Sequence, residues 1–210
     1  MTENPVEAEP AIAADMFGPQ LELARRYTAD LASRGEELGL IGPLELPRLW
    51  TRHILNCVLI APLLRPGTVG DIGSGAGLPG LVLAIARPDV DFVLIEPMER
   101  RVEWLLAESA ELGLSNVTVV RARAEEAKLP EPLSQVTARA VTALSKLIPA
   151  TAPLLAHGGE MLFYKGARVA DEVTAAAKQI RKARLRGVEV LLMGEGIVPE
   201  VTRVFRATVD

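Results

Sequence analysis

The chain has 210 residues, enough for one domain with an appendage, and its 49% hydrophobic and 24% charged residues are ordinary for a soluble globular protein. One cysteine, Cys57, and two histidines, His53 and His157, exclude an internal disulfide and argue against a structural zinc, so no metal is expected. The net charge of −4 stands against a broad basic nucleic-acid face and leaves any such role to local patches.

Residues 1–15 are acidic and Pro/Ala-rich and read as a disordered tail without the features of a signal peptide. Residues 17–38 read as an amphipathic helix with Leu21, Ala24, Tyr27 and Leu31 near one face. After the Ile41-Gly42-Pro43 turn, one or two further helices run to Leu64, and residues 16–66 form a helical cap ahead of the main domain, 67–210. Cys57 follows an apolar helical stretch and reads as a small buried residue. No stretch approaches about 18 uncharged apolar residues, so no membrane contact and a cytoplasmic location are expected.

From Thr68 the pattern alternates. Strand 68–72 precedes helix 78–86, with Pro79 in its first turn. Strand 91–96 precedes helix 98–112, whose inner stripe is read as Val102, Leu105, Leu106 and Ala110, with Trp104 off its centre as a packing residue. Strand 116–121, a polar segment at 124–128, strand 135–141 and a proline-interrupted helix at 143–156 follow, with His157 as that helix's cap. Strand 160–164, helix 168–184 and strands 187–193 and 201–208 complete the chain. The alternation predicts a doubly wound, mostly parallel seven-stranded sheet, closed by an antiparallel hairpin. That is the architecture of Rossmann-like class I methyltransferases, whereas a dinucleotide-binding domain continues with parallel crossovers.

The organising stretch is Thr68 to Gly80, a strand ending in Asp71 and followed by Gly73-Ser74-Gly75-Ala76-Gly77. Strand, glycine loop and helix start make a nucleotide-sized site. Gly75 to Gly80 also satisfies the spacing of a dinucleotide loop, which keeps a nicotinamide site open. Asp71 favours a cationic ligand such as S-adenosylmethionine, because a carboxylate there repels a pyrophosphate. Glu96, ending the next strand, is placed to accept ribose hydroxyls. Ligands in such sheets sit beyond the carboxyl ends of the strands, which singles out Asp71, Gly73, Glu96, Arg121 to Glu125, Arg139 and Lys165. Ala124 and Glu125 are candidate adenine contacts, Glu125 equally a helix-capping carboxylate. Arg139 reads either as an end-of-strand salt bridge or as a residue of the site mouth, and Lys165 as a loop lysine or a substrate contact. His53, alone on a helix, reads first as a hydrogen-bonded structural residue. Two stretches are locally basic: Arg48, Arg52 and His53, and residues 178–186, the latter either a solvated helix face or an RNA-backbone contact.

The chain lacks the Asn/Asp-Pro-Pro-aromatic signature of amino-group methyltransferases and any visible nucleophile–base arrangement. A guanine N7 needs neither, since its lone pair lies in the ring plane and is available without a base. Transfer there runs on positioning.

Arg52-His53-Ile54-Leu55-Asn56, Asp71 to Gly80, Arg123-Ala124-Glu125-Glu126, Arg139-Ala140 and Lys165-Gly166 occur in the order and spacing of a known family. From about Phe17 onward the chain resembles the RsmG (GidB) family of ribosomal small-subunit RNA methyltransferases. The resemblance implies methyl transfer from S-adenosylmethionine to N7 of one guanosine in the decoding-region loop of 16S rRNA. It also implies 16S rRNA, the small subunit or an assembly particle as partner. Gly73, Leu78, Ala124, Glu125 and Arg139 then become cofactor contacts, beside Asp71, Gly75 and Glu96 from the residue reading. His53, Arg139 and Lys165 become candidates for positioning substrate, with no acid–base catalyst assigned. Where many members carry Asn-Leu-Thr, residues 37–42 here read Glu-Leu-Gly-Leu-Ile-Gly. A monomer is expected. The alternatives are a small-molecule methyltransferase, a nicotinamide-dependent oxidoreductase and a module that only binds the cofactor.

Overall fold

The computed structural model describes residues 5–210. Its centre is one seven-stranded sheet in the order β3-β2-β1-β4-β5-β7-β6. The strands are β1 Thr68–Ile72, β2 Asp91–Ile95, β3 Val117–Val120, β4 Leu133–Arg139, β5 Leu155–Lys165, β6 Leu185–Met193 and β7 Thr202–Val209. The first five are mutually parallel, while β7 runs antiparallel to both β5 and β6. The expected fold is therefore the one observed. The strand order reverses between β1 and β4, and this is where a crevice opens in a doubly wound sheet.

Side chains alternate across the sheet, so its two faces carry two cores. Leu162 and Tyr164 face the cap together with Val69, Phe92 and Leu94. Met161, Phe163 and Phe205 face the opposite way, against α6 (Leu144–Thr151) and Val169 and Ala176 of the last helical segment. Phe163 and Phe205 are register partners, and their rings stack with centroids 6.0 Å apart. This fastens the antiparallel hairpin to the parallel sheet.

The cap lies on the first face. It comprises α1 (Ile12–Phe17), α2 (Leu21–Arg34), a π-helical turn Leu49–Leu55 and the short α3 (Asn56–Val58). Its buried Tyr27, Leu31, Leu49, Ile54 and Leu55 join the same core as α4 (Gly80–Ala86) and α5 (Glu99–Glu111). Long-range bonds bind it further: Tyr164 Oη donates to Cys57 O, Asn56 Nδ2 to Thr202 Oγ1, and the Arg52 guanidinium meets Glu200 at 3.0 Å.

Several local expectations are corrected. Of the segment expected as a disordered tail, residues 1–4 lie outside the described residues. Within its remainder, α1 begins at Ile12 and buries Ala13, Glu9 pairs with Arg25 at 2.6 Å, and Glu7 accepts from Thr51 N–H at 2.9 Å. The Pro/Ala composition hid a short apolar face formed by Ile12, Ala13, Met16 and Phe17. The helix expected over 17–38 is interrupted by Gly18-Pro19-Gln20, with Gly18 at φ +50°, and stops at Arg34. Helix α4 starts at Gly80, and Pro79 occupies the capping position before it. On α5, Leu106 is 52% exposed whereas Trp104 is buried, so the inner face is rotated towards Trp104. His157 does not cap a helix: it lies in β5, where residues 156–159 bulge between the Leu133–Leu155 and Gln135–Glu160 register pairs. The helix expected over 168–184 divides at Ala176 into α7 (Val169–Ala175) and α8 (Ala177–Lys182). Among the described residues no helix is long and apolar enough to cross a membrane.

Candidate active site

Asp71 closes the glycine loop from beneath. It is 1% exposed, and its Oδ2 accepts from Ser74 Oγ at 2.6 Å and from Gly80 N–H at 2.9 Å. One carboxylate oxygen thus ties the loop's entry to the first residue of α4. The other, Oδ1, is buried and has no partner among the described residues. Burial pushes the Asp71 carboxyl up to about 7, against the opposing pull of the Ser74 and Gly80 hydrogen bonds. Gly73, Gly75 and Gly77 all have positive φ, so the loop's path favours glycine at each.

Glu96 clamps the loop from β2. Its Oε2 accepts from Gly75 N–H at 2.9 Å and its Oε1 from Met98 N–H at 3.0 Å. From above, Ala76 O accepts from Tyr27 Oη of the cap and Trp104 Nε1 of α5, both at 2.9 Å. Trp104 is thus a loop holder as well as a packing residue. Leu78 N–H returns to Ser74 O, and Ala124, 8% exposed, packs with Ile72 and Ile95 where β1 and β2 end. Glu125 is exposed one residue further on.

Beside this loop, across the reversal point, lies a cleft of about 890 Å³. Arg52 and Asn56 of the cap line it, with Arg139 at the end of β4, Lys165 at the end of β5 and residues 199–203 entering β7. Its cations are Arg52, Arg139, Lys165 and Arg203, and its carboxylates are Glu172 and Glu200. Both carboxylates are ion-paired, Glu172 with Lys165 at 2.9 Å and Glu200 with Arg52. Lys165 Nζ also donates to Thr142 O at 2.7 Å, which fixes the ammonium in the cleft wall. Ala140, directly after Arg139, has φ +56°, a conformation alanine adopts at a cost of about 1 kcal/mol.

Loop and cleft meet at adjacent strand ends. Ile72 pairs with Ala138, so Gly73 and Arg139 leave the sheet side by side. A methyl group at Gly73 would lie 3.0 Å from Val141 Cγ2, and Val141 also lines the cleft.

Among the described residues no carboxylate forms a salt bridge with Arg139. Its guanidinium donates to Arg52 O at 3.1 Å and to His53 Nδ1 at 2.9 Å, and it lies 3.6 Å from Cys57 Sγ. His53 Nε2 in turn meets Glu45 Oε2 at 2.6 Å. Burial, and then the nearby Arg139 charge, push the His53 pKa down to about 4, so the ring is neutral at physiological pH. Both His53 nitrogens face protein partners, and the residue stands behind the cleft wall.

Residues 20–198 match the GidB family, described as rRNA small subunit methyltransferase G. A "Ribosomal RNA small subunit methyltransferase G" of Leifsonia xyli is 68% identical, with 100% of both chains covered. One of Renibacterium salmoninarum is 51% identical, covering 97% of this chain and 95% of its own. The chain belongs to the GidB family. The solved structure of a SAM-dependent methyltransferase from Aquifex aeolicus shares the fold, with 18% identity, a TM-score of 0.57, and coverage of 80% of this chain and 95% of that one.

As a GidB member, the protein is a methyltransferase, and the methyl donor expected from its sequence is S-adenosylmethionine. The donor's chemistry fits the loop. It carries a cationic ammonium and sulfonium, and Asp71 Oδ1 is a buried acceptor without a partner among the described residues. The structure brings Asp71, Gly73, Gly75, Leu78 and Glu96 into this loop and its supports, sets Ala124 and Glu125 at its β3 side, and places Arg139 and Lys165 in the cleft. Sequence reasoning missed Glu45, Tyr27 and Glu172. Tyr27 was visible as a helix-stripe residue, but no sequence signal marked it as a donor to the loop.

Proposed function

We propose that this GidB member methylates N7 of a guanosine in the decoding-region loop of 16S rRNA, acting as a cytoplasmic monomer. The observation that carries the reading is the cleft beside the glycine loop. It is large enough for a nucleotide, it presents four cations, and both its carboxylates are already ion-paired. That is a site for holding phosphate and carbonyl oxygens, with no free general base among its lining residues. Guanine N7 requires none, because its in-plane lone pair attacks directly.

S-Adenosylmethionine supplies an electrophilic methyl on a sulfonium that leaves as a neutral thioether. The protein's own groups do the positioning. Asp71 Oδ1 is available to the donor's cationic end, the bare loop backbone at Gly73 and Gly75 permits close approach, and each Glu96 oxygen keeps a second lone pair for ribose hydroxyls. Arg139 and Lys165 hold the acceptor base or its phosphate, and the cap shields the reacting atoms from water.

The test uses small-subunit RNA and particles from cells lacking the gene, incubated with the protein and methyl-labelled S-adenosylmethionine. Reduction and aniline treatment then cut the RNA at N7-methylguanosine. One new cut in the decoding-region loop is the expected result. Label without a cut refutes the N7 assignment, and cofactor binding without label on RNA or particles favours a small-molecule acceptor.

A further inference from the structure

Arg139 leaves the sheet beside Gly73, where loop and cleft meet, and neutral acceptors hold it. Two of its contacts, a backbone carbonyl and a thiol, need no particular protonation state beyond the ordinary one. The third does. A guanidinium only donates, so His53 Nδ1 must present a lone pair to Arg139 at 2.9 Å. In a neutral imidazole the proton then sits on Nε2, which requires an acceptor. Glu45 Oε2 is that acceptor, at 2.6 Å.

Glu45 is well placed to stay ionised. Burial raises its pKa, but hydrogen bonds from Arg48 and His53 outweigh this and hold the carboxyl below its ordinary value. Arg48 meets its Oε1 at 2.6 Å, and Arg52 approaches Oε2 at 3.6 Å. The ionisable groups acting on His53 are Glu45, Arg139 and Arg52, with Arg48 behind Glu45 and Cys57 beside Arg139. Burial pushes the Cys57 thiol up to about 11, so it is neutral and adds no charge at physiological pH.

We propose that Glu45 is a positioning residue for methyl transfer: its carboxylate fixes His53 as the Nε2–H tautomer, and the bare Nδ1 then anchors the Arg139 guanidinium at the edge of the cleft. The chain runs Glu45 to His53 to Arg139, from cap to sheet, and sends a carboxylate's influence to Arg139 without placing a counter-ion in the cleft. A direct salt bridge at Arg139 would neutralise the charge offered to an incoming phosphate or guanine O6. With a neutral imidazole between them, the cation stays oriented and available. Protonated His53, or its Nδ1–H tautomer, would aim an N–H at the guanidinium and release it. The proposal rests on the reading that Arg139 serves the transfer reaction.

The test combines spectroscopy with kinetics. Two-bond 1H–15N correlation spectra of the wild type show His53 in the Nε2–H form down to about pH 5. In Glu45→Gln the carboxamide both donates and accepts, so the spectra show mixed tautomers. Its kcat/KM for RNA falls about tenfold through a misplaced Arg139, with a melting temperature close to wild type. Arg139→Ala is impaired on its own, and adding Glu45→Gln to it causes no further loss. Retention of the Nε2–H tautomer and the wild-type rate in Glu45→Gln overturns the proposal. So does an equal loss from Glu45→Gln with or without Arg139, which marks a structural role alone. The spectra need no substrate. A wild type that shows the tautomer but methylates no RNA therefore refutes the function proposed above, and a methylating wild type without the tautomer refutes the relay.

Discussion

Replacing Gly80 by alanine tests whether the floor of the glycine loop is as tight as it looks. A Cβ built there would lie 2.4 Å from Leu94 Cδ2, 2.5 Å from Asp71 Oδ2 and 3.1 Å from Asp71 Cβ. Ordinary contacts begin near 3.5 Å, so Asp71 or Leu94 must move by about 1 Å. Both are buried and have little room to do so. Overpacking of this kind costs about 1–3 kcal/mol, and weakening the Gly80 N–H bond to Asp71 adds about 1 kcal/mol. Alanine's better helix propensity returns about 1 kcal/mol, so the net loss is about 1–3 kcal/mol. For a chain of this size that lowers the melting temperature by several degrees. Gly75→Ala is the control, because its site has a φ of +59° but no atom nearer than 3.8 Å. It meets backbone strain of about 1–2 kcal/mol without a collision, partly offset by the stiffer unfolded chain. Urea unfolding followed by tryptophan fluorescence gives both stabilities, and calorimetry gives cofactor affinity, which Gly80→Ala also weakens by shifting Asp71. If Gly80→Ala is neutral, or milder than Gly75→Ala, the argument from the loop's floor is wrong.

Two further outcomes follow from buried polar groups. Glu108 of α5 is fully buried with neither carboxylate oxygen bonded, and burial, then the charges of Asp30 and Glu111, push its pKa up to about 7. The folded state keeps this proton while the unfolded chain releases it near 4.5, so stability falls as pH rises from about 4.5 to 7, and the penalty persists above that. Glu108→Leu therefore stabilises the protein at pH 8 by on the order of 2 kcal/mol, after discounting for screening, and has little effect near pH 4.5. A gain of equal size at both pH values in urea titrations would count against this reading. The second outcome concerns Ala76 O, which accepts from both Tyr27 and Trp104. Tyr27→Phe costs about 1 kcal/mol because the Trp104 donor remains, Trp104→Phe costs more because it also removes part of a buried ring, and the double variant exceeds their sum by leaving a buried carbonyl unsatisfied. Simple additivity in a double-mutant cycle would refute it.

The strand–helix order was legible because apolar runs, glycine turns and helix breakers punctuate this chain at the right intervals. The cofactor loop was legible for the same reason: Asp71 and its glycines are contiguous, and Glu96 falls at the next strand's end. The face of α5 was not. Its buried side includes Glu108 and Ser109, two polar residues that disguise the apolar stripe and shift the apparent centre towards Leu106. The cleft was legible only in part. Arg139 and Lys165 stood at strand ends, but Arg52 and Arg203 reach it from opposite ends of the chain, and no local pattern links them. Glu45 was invisible because the eight residues separating it from His53 cross a change of helical pitch, where no periodicity predicts which side chains meet.

The register between β1 and β4 sets two inventories side by side. On the proposed reading, Gly73 opens the half that serves the methyl donor, built mainly from residues between Asp71 and Glu125. Arg139 opens the half proposed to receive the acceptor, built from β4, β5, the terminal hairpin and the cap. They join along a seam one strand pair wide, with Val141 at the join. Natural selection can therefore work on them separately. On the proposed reading, exchanges at residues 199–203, which touch the cleft and not the loop, alter which acceptor is admitted while the donor's cradle stays intact. One ancestral donor site is thereby free to be paired, over descent, with many different acceptors.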